Sequence, residues 1–293
     1  MPQVHANGID IAYETHGDPA NPPLLLIMGL GAQLTLWPIE LVEALVNRGY
    51  YVIRHDNRDI GLSTKFTDHG VPNFRRVALM RLLGLRARLP YRLTEMAADA
   101  VALLDALGIA RAHVVGASMG GMIAQLVAIG YPGRVLSLTS IMSTTGNPRL
   151  PRSKPEALAA LMNRPPAGAS MDEVIPFGIA IARAIGSPAY PAEETGLRER
   201  IERDYKRSFH PTGPGRHLAA ILDDGDRRKR LRDVKVPTLV IHGAEDPLIP
   251  VAGGQDTAAA IPGATLKIIP GMGHDLPHEL IDEIADAVAG IAR

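Results

Sequence analysis

The chain has 293 residues, of which 46% are hydrophobic, and its 31 acidic and 31 basic residues leave no formal net charge. This length is sufficient for a large hydrophobic core, and the balanced charge gives no overall electrostatic signal for nucleic acid or an anionic membrane. Because the chain contains no cysteine, disulfides, zinc–thiolate sites and cysteine nucleophiles are excluded.

The N-terminal sequence MPQVHANGIDIAYETHG is polar and lacks the basic flank and apolar stretch of a signal peptide. The longest apolar run, PLLLIMGLGA, is too short to span a bilayer and is interrupted by glycines. We therefore expect a soluble, cytoplasmic protein that acts on a small molecule and has neither a membrane nor a nucleic-acid partner.

The chain begins with alternating apolar and polar residues around Asn7-Gly8, and an Asn-Gly pair between two such runs predicts a β-hairpin. Further along, apolar runs with the length of buried parallel strands occupy residues 22–29, 50–56, 112–116, 135–141, 238–243 and 265–271. Helical periodicity occurs in residues 35–47, 93–108, 119–130 and 279–292. In the second of these segments, Thr94 is the predicted N-cap and Gly108 the C-terminal stop. An antiparallel start followed by alternating strands and helices predicts a doubly wound α/β sheet.

Residues 146–225 interrupt this alternation with helical pieces separated by segments rich in proline and glycine. A helical insertion in a sheet protein predicts a cap or lid, and a set of additional packing helices is the alternative. The predicted domain organisation is therefore a core formed by residues 1–145 and 226–293, with a helical cap formed by residues 146–225.

A second insertion, residues 73–92, is basic and apolar. Its composition is compatible with a helix that packs on the cap, with a membrane-contacting surface, or with a partner site. The favoured interpretation is a packed amphipathic segment whose arginines face solvent.

The sequence Gly116-Ala117-Ser118-Met119-Gly120 has the pattern G-x-S-x-G and lies between a predicted strand and a predicted helix. This context is typical of a nucleophile elbow, a sharp turn with unfavourable backbone angles that lifts the serine hydroxyl clear of the sheet. Small residues two positions before and after the serine allow the strand and the helix to approach closely. The helix N-terminus adds partial positive charge where an oxyanion develops. Ser118 is therefore predicted to be a nucleophile.

A serine nucleophile needs a base, and the base needs an acid that orients it. His274 follows the last apolar run, at the carboxyl end of a predicted strand, where functional groups of open α/β sheets collect; His278 is the alternative. The acid is predicted after the preceding strand, where Asp246 is preferred to Glu245 because it precedes a proline in a turn. Ser118, Asp246 and His274 then follow the order nucleophile, acid, histidine that accompanies this turn type.

Acyl transfer also requires hydrogen-bond donors for the oxyanion. We predict the backbone N–H of Met119 at the helix start, and the backbone N–H of Leu30 in the Gly29-Leu30-Gly31 turn. Backbone N–H groups suit this task because they are fixed dipoles that need no reorganisation during the reaction.

Five segments together resemble the α/β-hydrolase superfamily over nearly the whole chain: LLLIMGLGAQLTLW, VIRHDNRDIGLS, HVVGASMGGMIAQ, PTLVIHGAEDPLIP and PGMGHDLP. The first two are similar to those of the subgroup that contains aclacinomycin methylesterase and related bacterial esterases. The resemblance implies an eight-stranded sheet, a helical cap after the sixth strand and no cofactor. It also implies a catalytic triad of Ser118, Asp246 and His274, with Leu30 and Met119 as oxyanion donors.

The chain departs from many members of this superfamily at Met28, where they have a histidine before the glycine. Because the predicted donor is a backbone group, the oxyanion hole is expected to survive, whereas the support behind its loop changes. The loop containing Asp56 and Arg58 is predicted to tie strand and loop ends together rather than to take part in catalysis.

These residues predict hydrolysis of carboxylic esters through an acyl-enzyme on Ser118, without a metal or other cofactor. An apolar cap indicates an uncharged, fairly hydrophobic substrate; its candidate lining residues, each of which ordinary core packing also explains, are Met142, Met162, Phe177 and Ile181. Trp37 is a candidate wall of the acyl pocket. Perhydrolysis, halide-dependent peracid formation, lactone opening and carbon–carbon bond hydrolysis use the same groups and stay open, as does ligand binding with little catalysis. Because position 118 is not aspartate, dehalogenase and epoxide hydrolase chemistry is disfavoured.

Overall fold

The computed structural model describes residues 1–291. Within them, one sheet is formed by β1 (Gln3–Ala6), β2 (Ile9–His16), β3 (Pro23–Ile27), β4 (Tyr51–His55), β5 (Ala112–Ala117), β6 (Val135–Ile141), β7 (Thr238–Gly243) and β8 (Thr265–Ile269). The spatial order of the strands is β1-β2-β4-β3-β5-β6-β7-β8. Strand β2 pairs antiparallel with β1 and β4, and every other pair is parallel. The predicted mostly parallel, eight-stranded sheet is confirmed.

The helices of the described residues are α1 (Ile39–Asn47), α2 (Phe74–Leu82), α3 (Leu93–Ala106), α4 (Met119–Gly130), α5 (Pro155–Met162), α6 (Met171–Ile185), α7 (Glu194–Arg207), α8 (Gly213–Asp224), α9 (Arg228–Leu231), α10 (Ala252–Ala260) and α11 (Ile281–Ile291). The predicted last helix extends to Ala292, which lies outside the described residues. None of the helices within residues 1–291 has the length and apolar character needed to cross a membrane.

The central strands are buried on both faces, which explains their continuous apolar sequences. In β3, Leu25 and Ile27 belong to the core cluster that includes side chains of α3 and α4, whereas Leu24 and Leu26 belong to the cluster that includes side chains of α1 and α11. Successive side chains of a strand point to opposite faces, so a single apolar run contributes to both cores.

Of two local predictions, the Asn7-Gly8 hairpin is correct and the N-cap of α3 is not. The hairpin between β1 and β2 is confirmed, because Asn7 (φ 50°) and Gly8 (φ 75°) both have the positive φ that a type I′ turn requires. The N-cap prediction at Thr94 was wrong, because the N-cap of α3 is Arg92, two residues earlier, and the helix begins at Leu93. The Glu95 carboxylate accepts the backbone N–H of Arg92 at 2.9 Å, which stabilises this earlier start.

Helices α5 to α8 lie between β6 and β7, within residues 146–225, and contact loops at the carboxyl edge of the sheet. Gln33 Nε2, in the loop after β3, donates to the Asp204 carbonyl at 2.6 Å. Arg216 of α8 pairs with Asp59, in the loop after β4, with Nη2 2.8 Å from Oδ1. The insertion therefore covers the edge of the sheet at which the parallel strands end, and its division as a separate cap domain stays a prediction.

The segment 73–92 packs through only one of its faces. Val77 and Ala87 are buried against Ala219 of α8, as expected for a packed amphipathic segment. Leu82 and Leu83, however, are 83% and 63% exposed. The arginines of the segment face solvent as predicted, apart from the half-buried Arg92, and these two leucines are exposed beside them.

Candidate active site

Ser118 lies at the junction of β5 and α4, and its backbone has φ 56° and ψ −119°. Such a conformation costs a non-glycine residue about 1–3 kcal/mol and persists only where the surroundings hold it. The Ser118 N–H donates to the Ile141 carbonyl at 2.9 Å. The Ser118 carbonyl accepts from the Gly121 N–H at 3.0 Å and from Ser143 Oγ at 2.8 Å. These contacts hold the turn in the shape expected of a nucleophile elbow.

The first and last glycines of the G-x-S-x-G motif are required by close approach of the backbone. A Cβ at Gly116 would overlap the carbonyl of Gly120, and a Cβ at Gly120 would overlap the carbonyl of Ile27. Any larger residue at either position would push α4 away from β5 or β3. The two glycines therefore bring the N-terminus of α4 to the ends of two neighbouring strands, beside Ser118.

His274 lies between Ser118 and Asp246. Its Nε2 atom is 3.0 Å from Ser118 Oγ, and its Nδ1 atom is 2.7 Å from Asp246 Oδ2. Ser118 directly follows β5, Asp246 follows β7, and His274 follows β8. The structure thus brings the three predicted residues together, because parallel strands end at the same edge of the sheet.

Asp246 is held by hydrogen bonds to both carboxylate oxygens. Oδ1 accepts the backbone N–H groups of Leu248 at 2.9 Å and Ile249 at 2.8 Å, which leaves Oδ2 for His274. Burial alone would raise the pKa of this carboxyl, but the charge of His274 and hydrogen bonds from His242 and His274 lower the pKa to about 2. Because the carboxylate is ionised at neutral pH, it accepts the Nδ1–H of His274 and leaves Nε2 to receive a proton.

The alternative base and acid lie elsewhere. His278 is exposed in a 3₁₀ turn at residues 278–280, and Glu245 is exposed to solvent. Neither makes a hydrogen bond to His274 or Ser118 among the described residues. The geometry therefore favours Asp246 and His274 over these alternatives.

The two predicted oxyanion donors flank Ser118. Met119 is the first residue of α4, immediately after Ser118. Leu30 follows Gly29, and a Cβ at Gly29 would lie 3.1 Å from Ser118 Cβ and 3.6 Å from its Oγ. In the part of the chain that the structure describes, neither the Leu30 nor the Met119 N–H donates a hydrogen bond to a protein acceptor. Both N–H groups are therefore unengaged beside the serine.

A family model described as alpha/beta hydrolase fold matches residues 22–279. The chain belongs to the α/β-hydrolase family. This α/β-hydrolase is 31% identical to rhodomycin D methylesterase of Streptomyces peucetius, over 94% of this chain and 93% of the relative. It is 27% identical to 3-oxoadipate enol-lactonase 2 of Acinetobacter baylyi, over 92% of this chain and 90% of the relative. The solved structure of the enol-lactonase from Burkholderia xenovorans shares its fold, with a TM-score of 0.73 and 23% identity over 99% of each chain. The predicted resemblance to the methylesterase-like subgroup is confirmed.

The loop after β3 of this α/β-hydrolase is supported by the side chains of Asn57 and His217. Asn57 Nδ2 donates to the Met28 carbonyl at 2.8 Å. His217, completely buried in α8, has Nε2 2.8 Å from the Arg58 carbonyl and Nδ1 3.3 Å from the Gly31 backbone nitrogen. A carbonyl only accepts and a backbone N–H only donates, so His217 carries its proton on Nε2. Burial lowers its pKa to about 4, so this neutral form is present at neutral pH.

No local pattern in the sequence distinguishes His217 from the other histidines of the insertion. Its contact depends on α8 lying over the loop after β3, which is decided by packing between distant segments. Asn57 lies in the segment that was predicted to tie strand and loop ends together. Its hydrogen bond to the Met28 carbonyl agrees with that prediction.

Two buried ion pairs link the same loops to the insertion. Arg207 Nη2 of α7 lies 2.7 Å from Asp56 Oδ2, and Arg216 of α8 pairs with Asp59. Both carboxylate side chains are completely buried. Removing one partner of such a pair leaves an uncompensated buried charge, which is strongly destabilising. The ion pairs therefore fix the position of the insertion over the sheet edge.

The insertion also holds the loop that carries His274. The His274 N–H donates to the Ile185 carbonyl at the end of α6 at 2.8 Å. The preceding Gly273 N–H donates to Ser187 Oγ at 2.8 Å, and a Cβ at Gly273 would lie 2.5 Å from the Gly186 carbonyl. The end of α6 and the residues after it therefore fit closely against the histidine loop.

The candidate lining residues have different surroundings. Met142 is buried in a core cluster, and Trp37 is completely buried in the same cluster, so core packing accounts for both. Met162 is 45% exposed at the end of α5. Phe177 and Ile181 are half-buried on α6, and their contact with substrate stays a prediction.

Residues 1–291 contain no group of three or more His, Asp or Glu side chains placed to hold a metal ion.

Proposed function

We propose that this α/β-hydrolase cleaves carboxylic esters by serine-dependent, two-step acyl transfer. The observation that carries the proposal is the chain of contacts from Ser118 Oγ to His274 and from His274 to Asp246, built on a strained turn. A catalytic triad is recognised by such geometry and not by sequence position. The identity to a rhodomycin D methylesterase supports an ester as the substrate.

In the first step, Ser118 Oγ attacks the acyl carbon while its proton passes to His274 Nε2. The carbonyl oxygen becomes an oxyanion, which accepts hydrogen bonds from the Leu30 and Met119 N–H groups. Asp246 stays ionised, holds the Nδ1–H and stabilises the imidazolium. Collapse of the tetrahedral intermediate transfers the Nε2 proton to the departing alcohol and leaves the acyl group on Ser118.

In the second step, a water molecule gives a proton to His274 Nε2 and attacks the acyl carbon. The same N–H groups hold the second oxyanion. The bond between the acyl carbon and Ser118 Oγ then breaks, the oxygen regains its proton from His274, and the carboxylic acid leaves. The enzyme returns to its starting state, so no cofactor is needed for turnover.

We further propose that residues 146–225 form a cap that selects the substrate. Support comes from the contacts of α6 with the histidine loop and of α8 with the loop after β3. The half-buried Phe177 and Ile181 favour a small to medium, fairly hydrophobic ester.

Lactone opening is the second candidate. A lactone presents the same acyl carbon to Ser118, and the leaving alcohol stays attached to the product. The 27% identity to a 3-oxoadipate enol-lactonase over most of both chains supports this alternative.

A substrate panel combined with covalent labelling tests the proposal. We expect the native protein to hydrolyse methyl and 4-nitrophenyl esters, or lactones, with a dependence on acyl length. A fluorophosphonate should inactivate the protein and, by peptide mass spectrometry, form one adduct on Ser118. A folded protein that turns over no member of the panel, or an adduct on another serine, would contradict the proposal.

The support of the oxyanion loop by His217 yields a separate prediction. His217→Leu removes the acceptor of the Gly31 N–H and should lower kcat about 10- to 100-fold, because small displacements of a catalytic group are costly. KM should change little, since the oxyanion forms only after binding. Affinity for a trifluoromethyl ketone, which forms a tetrahedral adduct, should fall in parallel with kcat/KM.

Two variants separate positioning from general destabilisation. His217→Gln retains one acceptor and one donor and should recover part of the lost kcat. His113→Leu removes another buried histidine, one that contacts Ser137 Oγ at 2.9 Å on the strands β5 and β6, and should leave kcat of the folded protein unchanged. Equal kcat losses in His217→Leu and His113→Leu would refute the positioning of the loop by His217.

A further inference from the structure

The end of α2 and the turn after it form an apolar surface that the proposed activity does not use. Its exposed large side chains are Leu79 (55%), Leu82 (83%), Leu83 (63%) and Leu85 (55%). Gly84, with φ 70°, ends the helix, and the Leu85 N–H donates to the Met80 carbonyl at 2.8 Å. The turn is therefore ordered by its own hydrogen bonds and presents the leucines together. Contiguous exposed apolar residues of this kind mark interaction surfaces.

This apolar surface is surrounded by positive charge. Between Gly70 and Thr94 the sequence contains six arginines and no acidic residue. Those that are exposed and make no ion pair within residues 1–291 are Arg75, Arg76, Arg81, Arg86 and Arg88. The sixth, Arg92, pairs with Asp223 of α8 and anchors the segment. The zero net charge of the whole chain thus conceals a local concentration of guanidinium groups.

The segment is docked on the protein by its other face. Val77 and Ala87 are buried against α8, and the Ala87 N–H donates to Asp223 Oδ1 at 3.3 Å. With these contacts made, the leucines point away from the core that α2 helps to form. Their exposure is therefore a consequence of a defined docking geometry.

We propose that residues 75–88, the basic apolar surface, bind the surface of a bilayer that contains anionic lipid. The leucines would enter the boundary between headgroups and acyl chains, where apolar side chains of interfacial helices lie. The arginines beside them would donate hydrogen bonds to lipid phosphates and be attracted by the negative surface potential. An anionic bilayer therefore accounts for both the apolar area and the positive charge of this surface.

A second copy of the chain fits the surface less well. A twofold interface places the same patch of each subunit against the other. The five unpaired arginines would then face their own counterparts, with no acidic residue between Gly70 and Thr94 to receive them. Like charges placed together across an interface are unfavourable, so the charge pattern favours a negatively charged surface.

Binding at the basic apolar surface does not depend on the ester hydrolase activity. The position of this surface relative to the candidate active site follows from the packing of α2 on α8. Helix α2 packs on α8 through Val77 and Ala219, and α8 carries His217, which binds the loop after β3. A bilayer bound at the basic apolar surface would therefore lie one helix away from that loop.

Vesicle flotation with the full chain tests the proposal. We compare vesicles of phosphatidylcholine with vesicles of phosphatidylcholine and phosphatidylglycerol in equal parts, at low and at high sodium chloride. Binding should be at least about tenfold stronger to the anionic vesicles and should weaken at high salt, because salt screens the charges.

Variants of the basic apolar surface separate the contribution of its leucines to vesicle binding from that of its arginines. Leu82→Ser with Leu83→Ser removes apolar area without changing charge, and Arg86→Gln with Arg88→Gln removes charge; each pair should lower binding by about tenfold or more. Arg152→Gln with Arg198→Gln, two exposed arginines of the insertion, is the matched control and should bind as the native protein does. Circular dichroism and hydrolysis of a water-soluble ester check that each variant is folded.

Three outcomes would overturn the proposal. The first is absence of binding to anionic vesicles at low salt. The second is equal binding by the native protein and both surface variants. The third is a dimer in analytical ultracentrifugation that dissociates on Leu82→Ser with Leu83→Ser and does not bind vesicles, which would assign the surface to self-association.

Discussion

Replacing Ser118 with alanine is expected to lower kcat for every accepted ester by about 10⁴-fold or more, because the variant lacks the atom that forms the acyl bond. His274 and Asp246 keep their mutual hydrogen bond, and the backbone contacts of residue 118 do not involve the hydroxyl. The variant should therefore fold, and its KM should stay close to the native value. Initial rates over a range of ester concentrations, with thermal unfolding as a check of folding, measure both effects.

A buried serine outside the elbow supplies the control for this experiment. Ser137 of β6 contacts His113 at 2.9 Å, so Ser137→Ala removes a buried hydroxyl outside the elbow. It should lower the thermal midpoint and leave kcat near the native value. Unchanged turnover in Ser118→Ala, together with retained fluorophosphonate labelling, would show that another residue is the nucleophile.

Replacing Asp246 with asparagine should lower kcat by about 10⁴-fold, because an amide favours the wrong tautomer of the histidine. The carboxylate accepts the Nδ1–H of His274 and stabilises its positive charge, whereas an amide NH₂ would donate to Nδ1 and place the imidazole proton on Nε2. Nε2 could then no longer accept the proton of Ser118. Since the pKa of Asp246 is lowered to about 2, the loss should be present throughout the neutral pH range in a profile of kcat against pH.

The adjacent carboxylate provides a matched control for Asp246. Glu245 carries the same charge but is exposed to solvent, so Glu245→Gln should leave kcat nearly unchanged. A large loss in Glu245→Gln with a small one in Asp246→Asn would reassign the acid. Comparable losses in both variants would instead indicate a general effect of charge near the site.

The elements with strong local signals could be predicted from the sequence. Each predicted apolar run became a strand of the sheet. For the central strands the reason is that apolar side chains on both faces of a strand are buried between two layers of helices. The Asn7-Gly8 turn was recognisable because both residue types tolerate positive φ, and the elbow at Ser118 because its flanking glycines allow close approach of the backbone. The N-cap of α3 was misplaced, since the Glu95 carboxylate accepts the backbone N–H of Arg92 and stabilises a helix start before Thr94.

The residues whose surroundings come from distant segments could not be predicted. Gly121 follows the elbow motif without a chemical reason in the sequence, yet a Cβ there would lie 2.6 Å from Ser143 Cβ after β6. His217 has no distinguishing pattern, and its contact with Gly31 exists only because α8 crosses the loop after β3. Leu82 and Leu83 belong to an apolar helical run, and their exposure became visible only in the folded chain.

Local sequence patterns were sufficient to predict the strands, the helices with strong periodicity, the turn at Ser118 and the chain order of Ser118, Asp246 and His274. Propensity, periodicity and turn chemistry depend on residues that are close together in the chain, so they can be read from the sequence. The side chains that support the loop after β3, and the leucines that remain exposed, became known only from the packing of distant segments. Those outcomes depend on how much surface one element presents to another, a quantity that exists only after distant segments have packed.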